Sequence, residues 1–142
     1  MEGPVSFDLA HWPLVVLRLP PRIGEAEVAS LARAQEEIFQ RRERYVSLTD
    51  TTAVVGLPDA SVRSAIGQWL QTIEERAKRY QVANALVIAS PLTRGALTAV
   101  HWLAPPPVPT TVCATVREGA RYLEEHARRA RLEVAPFARF EG

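Results

Sequence analysis

The chain has 142 residues, of which 47% are hydrophobic and 23% are charged, and its formal net charge is +1. These values are typical of one globular domain, and they exclude a disordered chain, a collagen and a disulfide scaffold. Strong nucleic-acid binders carry a marked basic excess, which the totals of 17 basic and 16 acidic side chains do not show, so no nucleic-acid partner is expected.

The compartment is predicted from what the sequence lacks. Residues 1–10 do not have the basic start and apolar core of a signal peptide. The longest apolar runs, such as 14–17 and 85–89, are far shorter than the roughly twenty residues that a membrane-spanning helix needs. Cys113 is the one cysteine and cannot form an internal disulfide, which fits a reducing compartment. We therefore expect a cytoplasmic protein without a membrane span.

The first half of the chain alternates strands with a helix. Residues 5–9 and 12–19 read as two strands joined by a turn, and a pair of prolines ends the second strand. A helix is expected over 24–42, with acidic residues in its first turn and arginines in its last. A strand with alternating side chains follows at 44–49.

The third quarter of the chain repeats this alternation. Asp59 is placed to cap a helix over 60–80, and 82–89 reads as a strand buried on both faces, which is typical of parallel sheets. Ser90 is placed to cap a helix that ends near residue 103. Helical spacing places one stripe of buried side chains on each of these two helices. The stripe of the first is Val62, Ile66, Trp69, Leu70, Ile73, Ala77 and Tyr80, and that of the second is Leu92, Ala96, Ala99, Val100 and Leu103.

The last quarter of the chain begins with prolines that force an extended path after the third helix. A short strand is expected over 110–114, and Cys113 is placed within it as part of a central strand. Thr115 and Glu118 match a capping box for a final helix that ends near Arg131.

The whole order of elements is β-β-α-β-α-β-α-β-α. It predicts a single α/β domain over 1–142, with a core at about 10–132 and a C-terminal tail at 133–142. Strands that alternate with helices form a mostly parallel sheet covered by those helices, so we expect a mixed sheet of about five strands with about four helices.

Three stretches resemble a known family. They are R-R-E-R-Y-V-S-L-T-D at 41–50, R-Y-Q-V-A-N-A-L-V-I-A-S-P-L-T-R-G-A-L-T-A-V-H-W-L at 79–103, and A-T-V-R-E-G-A-R-Y-L at 114–123. Together with the element order over about 10–140, they resemble the STAS domain, and more closely the SpoIIAA-like bacterial proteins described as STAS or SEC14-like. The resemblance implies one STAS-like domain and no settled activity.

The resemblance to anti-sigma-factor antagonists implies a regulatory role. In those proteins the third strand ends in an acidic residue, and the second helix starts with Asp-Ser, whose serine a partner kinase phosphorylates. Asp50 and Asp59 supply this frame here, but Ala60 stands at the acceptor position. Ser61 follows one place later, and a phosphate there would lie at a helix N-terminus near Arg63. The alternative is that Asp59 and Ser61 only cap the helix.

The main hypothesis is a non-catalytic regulatory module that binds a protein partner, and homodimerisation is compatible with it. Trp102 lies off the predicted inner stripe of its helix, beside the prolines, where an exposed tryptophan would anchor a partner unless Phe137 and Phe140 of the tail cover it. The predicted partner-binding residues are Asp59, Ser61, Arg63, Arg94, His101 and Trp102.

Two alternatives stay open. The SEC14-like relatives and the apolar third and fourth helices favour a binder of a small apolar or lipid-like ligand. Ligands of open α/β sheets bind at the carboxyl ends of the strands, so an enzyme would use a polar site there. Its candidate residues are Asp50, Thr51 and Thr52 after one strand and Ser90 and Thr93 after the next, although turn and cap chemistry also explains all five.

Nothing in the sequence forms a catalytic or metal-binding pattern. Cys113 would need a histidine partner to act as a nucleophile, and His101 and His126 show no characteristic spacing to it. The three histidines, His11, His101 and His126, lack the spacing of metal ligands. We therefore expect no catalytic residue, no metal and no cofactor.

Overall fold

The computed structural model describes residues 5–56, 58–103 and 105–132, with the backbone alone at residues 96 and 99–103. The strands are β1 (Ser6–His11), β2 (Leu14–Arg18), β3 (Tyr45–Asp50), β4 (Gln81–Val87) and β5 (Thr110–Cys113). The helices are α1 (Glu25–Gln40), α2 (Ala60–Tyr80), α3 (Pro91–Leu103) and α4 (Val116–Arg129). The predicted class and element order are confirmed.

The five strands form one sheet in the order β1-β2-β3-β4-β5. β1 pairs antiparallel with β2, and the other three pairs are parallel. The carboxyl ends of β2–β5 therefore lie at one end of the sheet, and their amino ends lie at the other. β5 is an outer strand, so the prediction that Cys113 lies in a central strand is wrong, although its side chain is buried as expected.

One face of the sheet packs against α4. Strand side chains alternate between the two faces, and the parallel register aligns those of one face in rows across the strands. Leu14 is paired with Val46 and Val46 with Ala83 in one row. The buried residues of this face and of α4 are Leu14, Val16, Val46, Leu48, Ala83, Ala85, Val87, Cys113, Ala120, Leu123 and Ala127.

The opposite face of the sheet packs against α1 and α2, which also contact each other. Its buried residues are Val15, Ile38, Phe39, Tyr45, Ile73 and Ala77. An aromatic chain ties these elements together: the Tyr45 ring centroid lies 5.9 Å from that of Trp12 and 6.5 Å from that of Phe39, which lies 6.2 Å from that of Tyr80.

β4 is less uniformly buried than predicted. Ala83, Ala85 and Val87 are fully buried on the α4 face, whereas alternate residues on the other face are only partly buried. There, Gln81 Nε2 donates to Ser47 Oγ at 2.6 Å, and Ser47 Oγ donates to Asn84 Oδ1 at 2.8 Å. Among the described residues no buried side-chain polar atom lacks a partner, so this network meets the requirement that buried polar groups be hydrogen-bonded.

Two described residues placed on buried helix stripes are exposed instead, while the side chains of the other predicted α3 stripe residues, Ala96, Ala99, Val100 and Leu103, lie outside the described part of the structure. Leu70 in α2 is 49% exposed and Leu92 in α3 is 84% exposed. Leu70 lies about 60° around the helix from the buried Ile73 and therefore falls on the margin of the stripe. Leu92 is the second residue of α3, in the first turn after the carboxyl end of the sheet, and it projects into solvent.

The predicted helix caps are correct in position. Thr115 Oγ1 accepts the Glu118 N–H at 3.2 Å, and Ser90 Oγ accepts the Thr93 N–H at 3.2 Å. Asp59 occupies the N-cap position of α2, but its side chain makes no capping hydrogen bond. Its carboxylate is therefore not used by the helix that it precedes.

α4 approaches the sheet at Gly119. A Cβ at this position would lie 3.1 Å from Ala85 Cβ, 3.2 Å from Leu48 Cδ1 and 3.3 Å from Cys113 Sγ. These distances are shorter than ordinary van der Waals contact, so the missing side chain is what allows the helix to lie this close.

We expect Gly119→Val to lower the free energy of unfolding by about 1–3 kcal/mol, the usual cost of overpacking a core. Gly67→Ala is the matched control, since a Cβ at Gly67 in α2 meets nothing within 4 Å. This control should raise the unfolding free energy by up to about 1 kcal/mol through helix propensity. Urea denaturation measures both, and a Gly119→Val protein as stable as the wild type would contradict the packing argument.

Candidate functional site

Asp50 at the end of β3 is held by its own turn. Its Oδ1 accepts the Thr52 N–H at 2.9 Å and the Thr52 hydroxyl at 2.6 Å, and its Oδ2 lies 3.9 Å from Arg18 Nε. The Thr51 hydroxyl donates to the Val87 carbonyl at 2.8 Å. The polar side chains predicted here therefore join β3 to its neighbours and close a turn.

Ser90 and Arg94 are likewise engaged with nearby backbone. Ser90 caps α3, as described above. Arg94 Nη1 donates to the Ile88 carbonyl at 2.7 Å and to the Ala89 carbonyl at 2.8 Å. Its guanidinium thus satisfies carbonyls that follow β4 and holds the start of α3 against the end of the sheet.

The start of α2 presents polar side chains to solvent. Asp59 and Ser61 are exposed, and the Asp59 carboxylate is free of any capping bond. Arg63 is exposed and donates from Nη1 to the Pro58 carbonyl at 2.6 Å. Ala60, at the position of the phosphoacceptor in the resemblance described above, is the first helical residue and is also exposed.

Among the described residues, two large apolar side chains at this end of the sheet are exposed, and neither was predicted as a site residue. Val55, in the connection between β3 and α2, is 73% exposed, and Leu92 at the start of α3 is 84% exposed. The Val55 N–H donates to the Pro21 carbonyl at 2.8 Å, which fixes the connection beside the end of β2. Loop position was the one available signal for Val55, whereas the helical spacing of Leu92 indicated burial.

The other half of the predicted partner-binding set is only partly described. His101 and Trp102 lie in α3, but their side chains are outside the described part of the structure. Phe137 and Phe140, the alternative cover for Trp102, are also outside it.

Cys113 lies in a setting that does not activate thiols. Its Sγ is 3.6 Å from the Leu86 carbonyl oxygen and 3.5 Å from the Thr115 carbonyl oxygen. Burial, together with the negative charge of Glu118, raises the pKa of the thiol. Since the thiolate is the nucleophile, the raised pKa reduces the fraction of this thiol that could react at neutral pH.

The described residues hold no group of three His, Cys, Asp or Glu side chains that could bind a metal ion. His126 packs against Tyr122, with ring centroids 4.3 Å apart. Across the same described ranges, no helix has the length and hydrophobicity needed to cross a bilayer.

A groove lies on the outer side of β5, towards the amino end of the sheet. Its volume is about 620 Å³, which is within the usual range of small-molecule sites, about 300–1,000 Å³. One residue of α3, the proline run and the outer strand line it: Thr98, Pro105, Pro106, Pro107, Val108, Pro109, Thr110, Thr111 and Val112.

The architecture is shared with a solved structure. The chain is similar to an uncharacterized protein of the DUF3478 family from Shewanella loihica PV-4, which has a SpoIIAA-like fold. The similarity covers 87% of this chain and 95% of that chain, with a TM-score of 0.62 and 11% sequence identity. The fold is SpoIIAA-like. This confirms the fold that the resemblance implied, and at this identity it carries no statement about function.

No family model and no curated protein matches the chain by sequence.

We expect native Cys113 to react with Ellman's reagent at pH 7.5 at least about tenfold more slowly than after denaturation in guanidinium chloride, because burial and the raised pKa both suppress the thiolate. The absorbance of the released thiolate measures the reaction, and the signal belongs to one residue because the chain has one cysteine. Equal rates for native and denatured protein would contradict this, because they would show that folding changes neither the access to the thiol nor its ionisation.

Proposed function

We propose that this chain is a non-catalytic regulatory module that binds a protein partner at the carboxyl end of its sheet. The docking surface consists of Val55, Asp59, Ser61, Arg63 and Leu92. It joins the start of α2, where the resemblance places the switch region of anti-sigma-factor antagonists, to two exposed apolar side chains.

The exposure of Val55 and Leu92 carries the proposal. A large aliphatic side chain left about three-quarters in water forgoes most of the burial free energy that it could contribute, roughly 1.5–3 kcal/mol for such residues. Both lie at the same end of the sheet, after β3 and after β4. An apolar centre with a polar rim is the usual anatomy of protein interfaces, and the exposed Asp59, Ser61 and Arg63 follow Val55 within eight residues of the chain.

The polar residues of the docking surface suit its rim. The Asp59 carboxylate is exposed and makes no capping bond, so it is available to a partner's cation. Arg63 donates from one guanidinium nitrogen to the Pro58 carbonyl, and its other N–H groups can donate to a partner. With Ala60 at the acceptor position, the module would bind without the usual phosphorylation of that site.

An enzyme at Asp50 is less well supported. The side-chain oxygen atoms of Asp50, Thr51 and Ser90 already make hydrogen bonds in a turn, to a strand or in a helix cap, as described above. A group that acts on a substrate must reach it with a free donor, acceptor or proton, and these three are already used to build the end of the sheet.

The proposal is tested by affinity capture from an extract of the native cells. We expect Val55→Asp/Leu92→Asp to lose at least about 90% of the partner that the wild type retains, because each carboxylate would be buried without a counter-charge. Leu70→Asp is the matched control, since Leu70 is an exposed leucine outside the docking surface, and it should retain the partner. Equal recovery by all three proteins, or no partner with any of them, would contradict the proposal.

The groove beside β5 favours a second candidate function, the binding of a small apolar ligand. Native mass spectrometry of protein purified without unfolding should then show a bound mass of a few hundred daltons. Thr98→Trp would fill the groove and should remove the adduct, with Arg33→Gln as a control on the exposed side of α1. A clean mass of the bare chain for the wild type would exclude this candidate.

A further inference from the structure

The fold gathers basic residues at the amino end of the sheet, opposite the docking surface. They come from the connection after α1, the last turn of α2 and the end of α4. Arg44 Nη2 donates to the Ala130 carbonyl at 2.9 Å, which brings the first and third groups together, and Tyr45 pairs with Gln81 beside the second. We call this the basic pole; its residues are Arg41, Arg42, Arg44, Lys78, Arg79, Arg128, Arg129 and Arg131.

All eight side chains of the basic pole are exposed. Three of them make ion pairs with a glutamate one turn earlier in the same helix: Lys78 with Glu75, Arg128 with Glu124 and Arg129 with Glu125. In the described part of the chain the other five make no ion pair, and Glu43 is the one acidic residue among the same segments. Eight cations thus accompany six carboxylates within one helical turn, these four together with Glu37 and Glu74, and the five cations without an ion pair are what distinguishes the pole.

Helix dipoles neutralise part of the charge of the pole. α1, α2 and α4 end at the basic pole, and each helix C-terminus carries the equivalent of about half a negative charge. Together they are balanced by one or two cations. Five arginines of the pole still have no carboxylate at ion-pair distance among the described residues.

Backbone conformation gives a second, independent observation. The only non-glycine residues with positive φ in the described chain are Arg42, at 53°, and Arg131, at 59°. Each follows the C-cap of its helix, where glycine is usual because a Cβ is unfavourable in this conformation. After α4 the turn is complete, with Arg131 N–H donating to Arg128 O and Leu132 N–H donating to Ala127 O. The fold alone would favour glycine at both places, and the chain has arginine.

The chemistry of the basic pole fits phosphate. Guanidinium groups bind phosphate oxygens through paired N–H donors. None of the exposed large apolar residues of the described chain, which are Val55, Leu70 and Leu92, belongs to the pole. Interfaces with nucleic acid are more polar and more positively charged than those with protein, so an excess of cations without an apolar centre favours a polynucleotide.

We propose that the basic pole binds the phosphate backbone of a nucleic acid strand without reading its sequence. The rings of Trp12 and Tyr80 each have an arginine of the pole over one face: the Arg41 guanidinium lies 4.4 Å from the Trp12 ring centroid, and that of Arg79 lies 6.0 Å from the Tyr80 ring centroid. Both rings also pack against the core beneath α1 and α2, which favours contacts to phosphate over stacking on bases. The pole and the docking surface lie at opposite ends of the sheet, so the proposal for one surface can be wrong while the proposal for the other is correct.

The test measures fluorescence anisotropy of a labelled 20-nucleotide oligouridine RNA titrated with the full chain. If the five cations without ion pairs each neutralise a phosphate, the plot of log K against log salt concentration should have a slope of about −3.5, since each contact to a single strand contributes about −0.7. Arg42→Gly/Arg131→Gly should make the slope shallower by about 1.4 and weaken binding about tenfold at low salt.

The same double variant should raise the midpoint of urea unfolding, because glycine removes two unfavourable backbone conformations. Loss of binding in a more stable protein separates function from folding. The charge-matched control is Arg33→Gln/Arg121→Gln, which removes two exposed arginines outside the pole and should leave the RNA affinity unchanged. Val55→Asp/Leu92→Asp should bind RNA as the wild type does, although it fails to capture a protein partner.

Three results would overturn the proposal. The first is absence of RNA binding by the wild type in 50 mM salt. The second is an equal loss of affinity in the two arginine double variants, which would indicate attraction by overall charge alone. The third is that polyglutamate of equal charge displaces the labelled RNA at the same concentration as unlabelled RNA does. This result would assign the pole to an acidic protein segment instead.

Discussion

The parallel direction of β2–β5 is the constraint on which the rest of the molecule depends. Each helix that follows one of these strands must begin at the carboxyl end of the sheet and return to its amino end. Helix N-termini, caps and the connections after the strands are therefore collected at one end, and helix C-termini at the other. The two surfaces proposed for function are consequences of this sorting, since one consists of helix starts and a strand-to-helix connection and the other mostly of helix ends.

The two ends of the sheet use their polar residues differently. At the carboxyl end the polar side chains are hydrogen-bonded to nearby groups: Asp50 within its own turn, and Thr51, Ser90 and Arg94 to backbone. The exposed apolar side chains are therefore the distinctive feature there. At the amino end five exposed arginines make no ion pair with the described residues, and two of them occupy backbone conformations that suit glycine. A partner protein at one end and a nucleic acid strand at the other would make the module a link between the two.

Much of the fold was predictable because local signals and tertiary structure agree. Hydrophobic alternation located β3, and the Thr115–Glu118 capping box located the start of α4. Errors arose where burial depends on neighbours that are distant in the chain. Leu92 has the spacing of a buried helix residue but lies beyond the end of the sheet. Cys113 belongs to a segment whose composition is typical of a central strand, but the segment forms an outer strand. The spacing rules describe one helix or strand at a time, and neither case is decided within one element.

The sequence by itself determined the class, the order of elements, the capping residues and the resemblance to SpoIIAA-like proteins, since each depends on residues close together in the chain. Only the tertiary structure decided which side chains share a surface. Arg44 and Ala130 are 86 positions apart, and nothing local to either indicates that they touch. The total charge did not indicate the basic pole either, because it does not say where on the surface the charges lie, and binding depends on their location.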